Sequence, residues 1–224
     1  MKFRFRPPIS LIPLISLILL LSVSFNIYQF VNRRSSSSAI PVIGVIDGDT
    51  LVLEGKVRLR LRHLDAPELN FCGGPEAKQQ LENLVTGKSV DITEKILDQR
   101  GRAMALTYVG DTLINRKMLS SGWVRYHHDQ TTVTADLKAV AAAAKSAKLG
   151  IFGPKCWQTE NPDRPDCLIK GNLNNATGEK RYYLPGCTQY KTTIIEKDLG
   201  EDWFCSEKDA QKAGYVKSLA CPSL

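Results

Sequence analysis

The chain has 224 residues, 43% hydrophobic and 24% charged, an ordinary globular composition with room for one medium domain and a smaller unit. Its formal net charge is +7, but residues 1–34 hold Lys2, Arg4, Arg6, Arg33 and Arg34 and no acid, which leaves +2 for residues 35–224. A global field that draws in polyanions is thereby excluded, and any attraction to them rests on local placement.

Residues 1–8 form a basic tail, and residues 9–31 are mostly apolar, densest at Leu11–Leu21. As a helix this run is long enough for a hydrocarbon core of about 30 Å. It predicts a single-pass signal-anchor with the rest of the chain outside the cytoplasm. The competing expectation is a signal peptide cleaved near Ser22-Val23-Ser24 to give a secreted protein. Asn26 and Gln29 weaken the end of the run, and basic residues flank both sides. Residues 32–41, with four consecutive serines, read as a linker.

Residues 42–155 read as the main domain. Strands are expected at 42–47, 50–54 and 57–64, with Gly55 turning the chain between the last two. Pro75 opens a helical pattern through Val85, with Gly87 beyond its end. Strands follow at Val90–Leu97 and Ala103–Val109, then helices at Asn115–Ser121 and Thr134–Lys148. Five strands, one helix between the third and fourth and two near the end predict an α+β, mainly β domain: a five-stranded OB-type barrel with three helices.

The two acids of Asp47-Gly48-Asp49-Thr50 and those of Asp65-Ala66-Pro67-Glu68 fall at strand ends, with Arg60 on the strand between them. Asp49 and Asp65 are hard oxygen donors suited to Ca²⁺. Planar guanidinium groups suit charge developing on phosphoryl oxygens.

Three separated segments, Ile46-Asp47-Gly48-Asp49-Thr50, Arg60 through Glu68, and Asp98-Gln99-Arg100-Gly101-Arg102-Ala103, together with Leu113-Ile114-Asn115 and Ser121-Gly122-Trp123, resemble the staphylococcal nuclease-like family over residues 42–153. The resemblance implies a Ca²⁺-dependent endonuclease that hydrolyses the 5′ O–P bond of DNA or RNA. It assigns the metal to Asp49, Asp65 and the Ala66 carbonyl; the family's best-known member has threonine at the Ala66 position, a change that keeps the carbonyl. It assigns the attacking water to Glu68 and the scissile phosphate to Arg60 and Arg102. Tyr126 and His128 fall where the family often places rings against the nucleotide. Arg58 and Arg62 read as ordinary strand charges and His63 as a structural histidine. The alternative is an OB module at the cell surface that holds nucleic acid without cutting it. A monomer is expected, and no protein partner is legible.

All six cysteines follow the apolar run, which in an exported chain favours disulfides. Cys72 and Cys156 read as one pair, tying the loop after Glu68 to the chain after the last helix. Six thiols allow about 15 pairings and spacing does not choose among them; Cys167–Cys205 and Cys187–Cys221 are taken for the rest. Residues 156–224 thus form a small stapled C-terminal unit, resembling a cysteine-containing module appended to exported nuclease-like proteins. Ser206 is placed to cap a helix over 207–213, and Asn175-Ala176-Thr177 fits a glycosylation sequon.

Overall fold

The computed structural model describes residues 21–24, 39–174 and 177–222. The chain divides into two units, Met1–Ser38 and Ala39–Leu224. Leu21–Ser24 form an exposed helical turn. Otherwise the apolar run at 9–31 lies outside the described residues, as do Asn175 and Ala176 of the sequon. Among the described residues no helix is long and apolar enough to cross a membrane.

The second unit begins with three antiparallel strands, β1 (Ile40–Val45), β2 (Thr50–Leu53) and β3 (Val57–Leu61). Period-2 alternation sends Leu51, Leu53, Leu59 and Leu61 into the core and leaves Arg58 and Arg60 on the opposite face of β3. Two longer strands follow, β5 (Ser89–Leu97) and β6 (Ala103–Val109), antiparallel to each other, with β5 beside β1. Parallel pairing of β3 with β6, Arg60 opposite Met104, closes the five-stranded barrel. A short β7 (Thr112–Leu113) continues the sheet from β6.

Three helices cover this barrel. In α1 (Gly74–Val85) the residues Ala77, Leu81 and Val85 recur every four positions and are fully buried. The others are α2 (Ile114–Ser121), ended by Gly122 at φ 74°, and α3 (Thr134–Ser146). Met118 and Leu119 of α2 and Leu137 of α3 join the leucines of β2 and β3 in one core.

The third strand departs from its expected span of 57–64. It stops at Leu61, bends through His63 at φ 64°, and resumes as β4 (Leu64–Asp65), which pairs with β8 (Arg125–Tyr126) rather than with the barrel. Arg62 sits at the break. Its side chain is buried, where it forks onto Asp129 at 2.5 and 2.7 Å and donates to the carbonyls of Glu94 (2.7 Å) and Gln130 (2.8 Å). The reading of Arg62 as a solvated strand charge is therefore corrected: it is a buried tie between β3, the bulge in β5 and the loop after β8. Asn115 seals the same corner, accepting from the Thr107 amide at 2.9 Å and donating to the Arg62 carbonyl at 2.8 Å.

The C-terminal segment adds a two-stranded ladder of β9 (Trp157–Gln158) with β12 (Ile195–Glu196), and a four-stranded sheet. The sheet runs in the order β13 (Asp202–Phe204), β10 (Ile169–Leu173), β11 (Lys180–Tyr183), β14 (Val216–Lys217). Helix α4 (Glu207–Lys212) starts at Ser206, whose hydroxyl accepts from the Asp209 amide at 3.2 Å. Ile169, Tyr182, Ala210 and Tyr215 form a separate small core. Disulfides join Cys72 to Cys156, Cys167 to Cys205 and Cys187 to Cys221.

Candidate active site

The turn between β1 and β2 is built by close approach. A Cβ on Gly48 would lie 2.5 Å from the Ala77 Cβ and 2.8 Å from the Ala66 Cβ, so only glycine lets this turn pack on α1 and against Ala66. The Asp49 amide donates to Asp47 Oδ1 at 3.1 Å, which fixes the turn from within. Its carboxylate is thereby carried inside: Asp49 is 1% exposed.

Three donors meet that carboxylate. The Ala66 amide reaches Oδ2 at 2.8 Å, the Thr50 hydroxyl reaches Oδ1 at 2.9 Å, and Arg60 Nη2 lies 2.9 Å from Oδ2. The same Arg60 nitrogen donates to Asp65 Oδ1 at 2.7 Å and to the Leu64 carbonyl at 3.4 Å. One cationic atom therefore sits where two carboxylates and a carbonyl converge. Burial pushes the Asp49 carboxyl up to about 7, against the pull of Arg60 and with the repulsion of Asp47.

Glu68 lies three residues beyond Asp65, exposed, with no ion pair among the described residues. Its backbone is fixed although its side chain is free. The Glu68 carbonyl accepts from the Phe71 amide at 2.9 Å and packs so closely on the start of α1 that a Cβ on Gly74 would lie 2.1 Å from it.

Arg102 precedes β6. Arg102 lies two residues before Met104, the partner of Arg60 across the parallel β3–β6 pairing. Its guanidinium is half exposed and donates to Asp98 Oδ2 at 2.6 Å. Asp98 also accepts from the Arg100 and Arg102 amides, each at 2.8 Å, and these bonds hold its carboxyl below the usual range. The loop leading to Arg102 is thus ordered by one aspartate.

His128 is exposed and shares with Arg102 and His127 a groove of about 510 Å³. Tyr126 is placed differently. Its ring stacks on His63 at 5.6 Å between centroids, and its buried hydroxyl has no hydrogen-bond partner among the described residues. Asp49, Asp65, Ala66 and Arg60 are in direct contact and Glu68 shares their loop, while Arg102 and His128 line a groove with His127 and Asp129.

Sequence reasoning missed Asp129 and Asp198, the carboxylates that hold Arg62 and Arg125. Their partners lie 67 and 73 residues away, so no local pattern reveals them.

The oxygen-only donor set fits a hard cation. Asp49 and Asp65 converge on one point, and the Leu64 carbonyl stands beside them. Among the described residues no cluster of three or more His, Cys, Asp or Glu forms a metal site, so water and substrate oxygens would complete the shell.

Residues 58–153 match the family model described as Staphylococcal nuclease homologue. The chain is similar to a micrococcal nuclease of Shigella flexneri, 30% identical over 138 residues that cover 55% of this chain and 76% of that protein. An uncharacterized endonuclease of Haemophilus influenzae is 31% identical over 132 residues, 55% of this chain and 68% of that one. A probable staphylococcal-like nuclease of Oryza sativa subsp. japonica is 34% identical over 117 residues, 52% of this chain but 29% of that protein. The chain spans about a third of the length of the plant relatives it matches.

Proposed function

Because the chain belongs to the staphylococcal nuclease family, we propose that it is a Ca²⁺-dependent endonuclease that hydrolyses phosphodiester bonds of DNA or RNA at the 5′ O–P bond. The convergence of Asp49 and Asp65 on the Arg60 Nη2 carries this reading, since it combines a hard-cation pocket with a phosphate clamp in one contact.

Asp49, Asp65 and the Ala66 carbonyl would hold the ion, which when bound supplies a positive charge that polarises the phosphoryl group. Arg60 is then free to turn from the two carboxylates to a substrate oxygen. Arg102 trades Asp98 for a second oxygen, giving two planar donors aimed at the charge that builds in the transition state. Glu68, exposed and unpaired on a fixed backbone, orients a water for in-line attack and accepts its proton. His128 offers a ring in the groove beside Arg102 for a neighbouring base.

We further read the chain as exported and anchored through residues 9–31, acting as a monomer outside the cytoplasm. Three disulfides support that compartment. Incubating the purified chain with plasmid DNA or with RNA, in Ca²⁺ or in chelator, tests the activity. Cleavage confined to the Ca²⁺ arm is expected; cleavage that persists in chelator would exclude the proposed chemistry.

A further inference from the structure

The segment 65–72, which carries Asp65 and Glu68, is tied to the barrel at its start, by Arg60 on Asp65 and by the Ala66 amide on Asp49, and to α1 by the Glu68 carbonyl packed against Gly74. Asp65, Glu68, Leu69 and Asn70 are exposed, and β4 has one strand partner, the two-residue β8, with Asp65 directly opposite Arg125. The C-terminal unit adds a second grip at both ends of this segment. Arg125 Nε donates to Asp198 Oδ2 at 2.6 Å, its Nη2 donates to Asp198 Oδ1 at 3.0 Å, and Glu196 Oε2 stands 3.3 Å away. The Asp198 side chain is completely shielded from solvent. At the other end Cys72 is bonded to Cys156, and its amide donates to the Lys197 carbonyl at 3.4 Å. The Lys197 amide in turn donates to the Cys156 carbonyl at 2.8 Å. The Phe71 ring seats on Gly200, where a Cβ would lie 2.6 Å from its Cζ.

Residues 196–200 therefore touch the strand partner of Asp65, the disulfide that ends the loop, and the aromatic ring beside it. None of these contacts belongs to the C-terminal unit's own core of Ile169, Tyr182, Ala210 and Tyr215. Burying a carboxylate is costly unless its partner is held in fixed geometry, and this one is spent on Arg125.

We propose that the C-terminal unit is a brace that fixes the geometry of the metal-binding and water-orienting loop, with Arg125 and Asp198 as positioning residues and Cys72–Cys156 as the covalent strut. The brace rests on the reading of Asp65 and Glu68 given above. It makes the appended unit a part of the active site without supplying any group to the reaction.

The test compares the full chain with Asp198→Asn, Arg125→Lys, and Cys72→Ala combined with Cys156→Ala. Amide hydrogen exchange along residues 64–72 and on β2, β3 and β6, together with Ca²⁺ binding by calorimetry, gives readouts apart from turnover. Exchange in 64–72 should rise selectively while the barrel strands stay protected. Ca²⁺ affinity should fall by about 10-fold or more, as when outer-shell partners of ligands are removed. If Asp198→Asn does not fold, Phe71→Ala loosens the same loop at Gly200. Unchanged exchange and affinity would overturn the brace, as would a rise spread evenly over the barrel, which marks global destabilisation. A wild-type chain that neither binds Ca²⁺ nor cleaves would sink the reading of the site, while the exchange pattern would still decide whether the loop is braced.

Discussion

The Asp49 carboxylate lies 2.9 Å from Arg60 Nη2 and is almost wholly shielded from water. Desolvation outweighs the arginine and holds its folded pKa at about 7, against 3.8 for the free group. A pKa raised on folding stabilises the fold only while the group is protonated. The metal-free chain should lose stability as pH rises from about 4 through about 7. Asn at position 49 can accept from the Ala66 amide and donate to the Thr50 hydroxyl, so it fits without the charge. Asp49→Asn should thus raise metal-free stability at pH 8, on the order of 1–3 kcal/mol, with no gain at pH 3.5. The same variant should lose Ca²⁺ binding. Urea titrations at the two pH values read the effect, and a gain of equal size at both would contradict its electrostatic cause.

Glu68 and Arg102 are exposed side chains on backbones fixed by other groups, Gly74 in one case and Asp98 in the other. Glu68→Gln and Arg102→Ala should each lower kcat by about 10²–10³ while the unfolding free energy stays within about 0.5 kcal/mol of wild type. Retention of full rate by either variant would remove that residue from the mechanism.

Arg62 and Asp129 behave in the opposite way. Their fork is buried on the arginine side, and removing the arginine leaves Asp129 and the Glu94 and Gln130 carbonyls without their donor. Arg62→Ala should destabilise the chain by about 3 kcal/mol or more, and Arg62→Lys should recover little because an ammonium cannot fork. Thermal unfolding of the two variants measures this; a loss under about 1 kcal/mol would place the pair among ordinary surface bridges.

The barrel was legible because its signals are local: alternation in 51–53 and 57–61 marks the inward leucines, and Gly48 and Gly122 mark turns that admit no side chain. The meeting of Asp49, Asp65 and Arg60 was legible for the same reason, being carried by strands and their ends. The strand predicted over 57–64 ran too long because Arg62 continues the alternation of Arg58 and Arg60, while the side chain that receives Arg62 at the bend, Asp129, lies far along the sequence. The ring of Tyr126 likewise looked available, but its stacking on His63 depends on β4 pairing with β8. In the C-terminal unit the parallel pairing of β11 with β14 and the clamp of Asp198 on Arg125 are both long-range, and neither leaves a mark in composition or spacing.

Gly48→Ala tests how tightly the turn must approach. Its new methyl would overlap Ala77 and Ala66, and the expected cost is about 1–3 kcal/mol, with a larger fractional loss of activity because the displaced atoms carry Asp49 and the Ala66 carbonyl. Calorimetric unfolding and a plasmid assay on the same sample separate the two effects.

The most direct measurement is the rate of phosphodiester cleavage by the purified full chain as Ca²⁺ is titrated against a chelator, with Asp49→Asn alongside. The site geometry predicts cleavage by the wild-type chain that rises with Ca²⁺, stops in chelator, and is absent in the variant at every Ca²⁺ concentration. A folded wild-type chain that leaves DNA and RNA intact in Ca²⁺, or one that cuts them equally well in chelator, would contradict it.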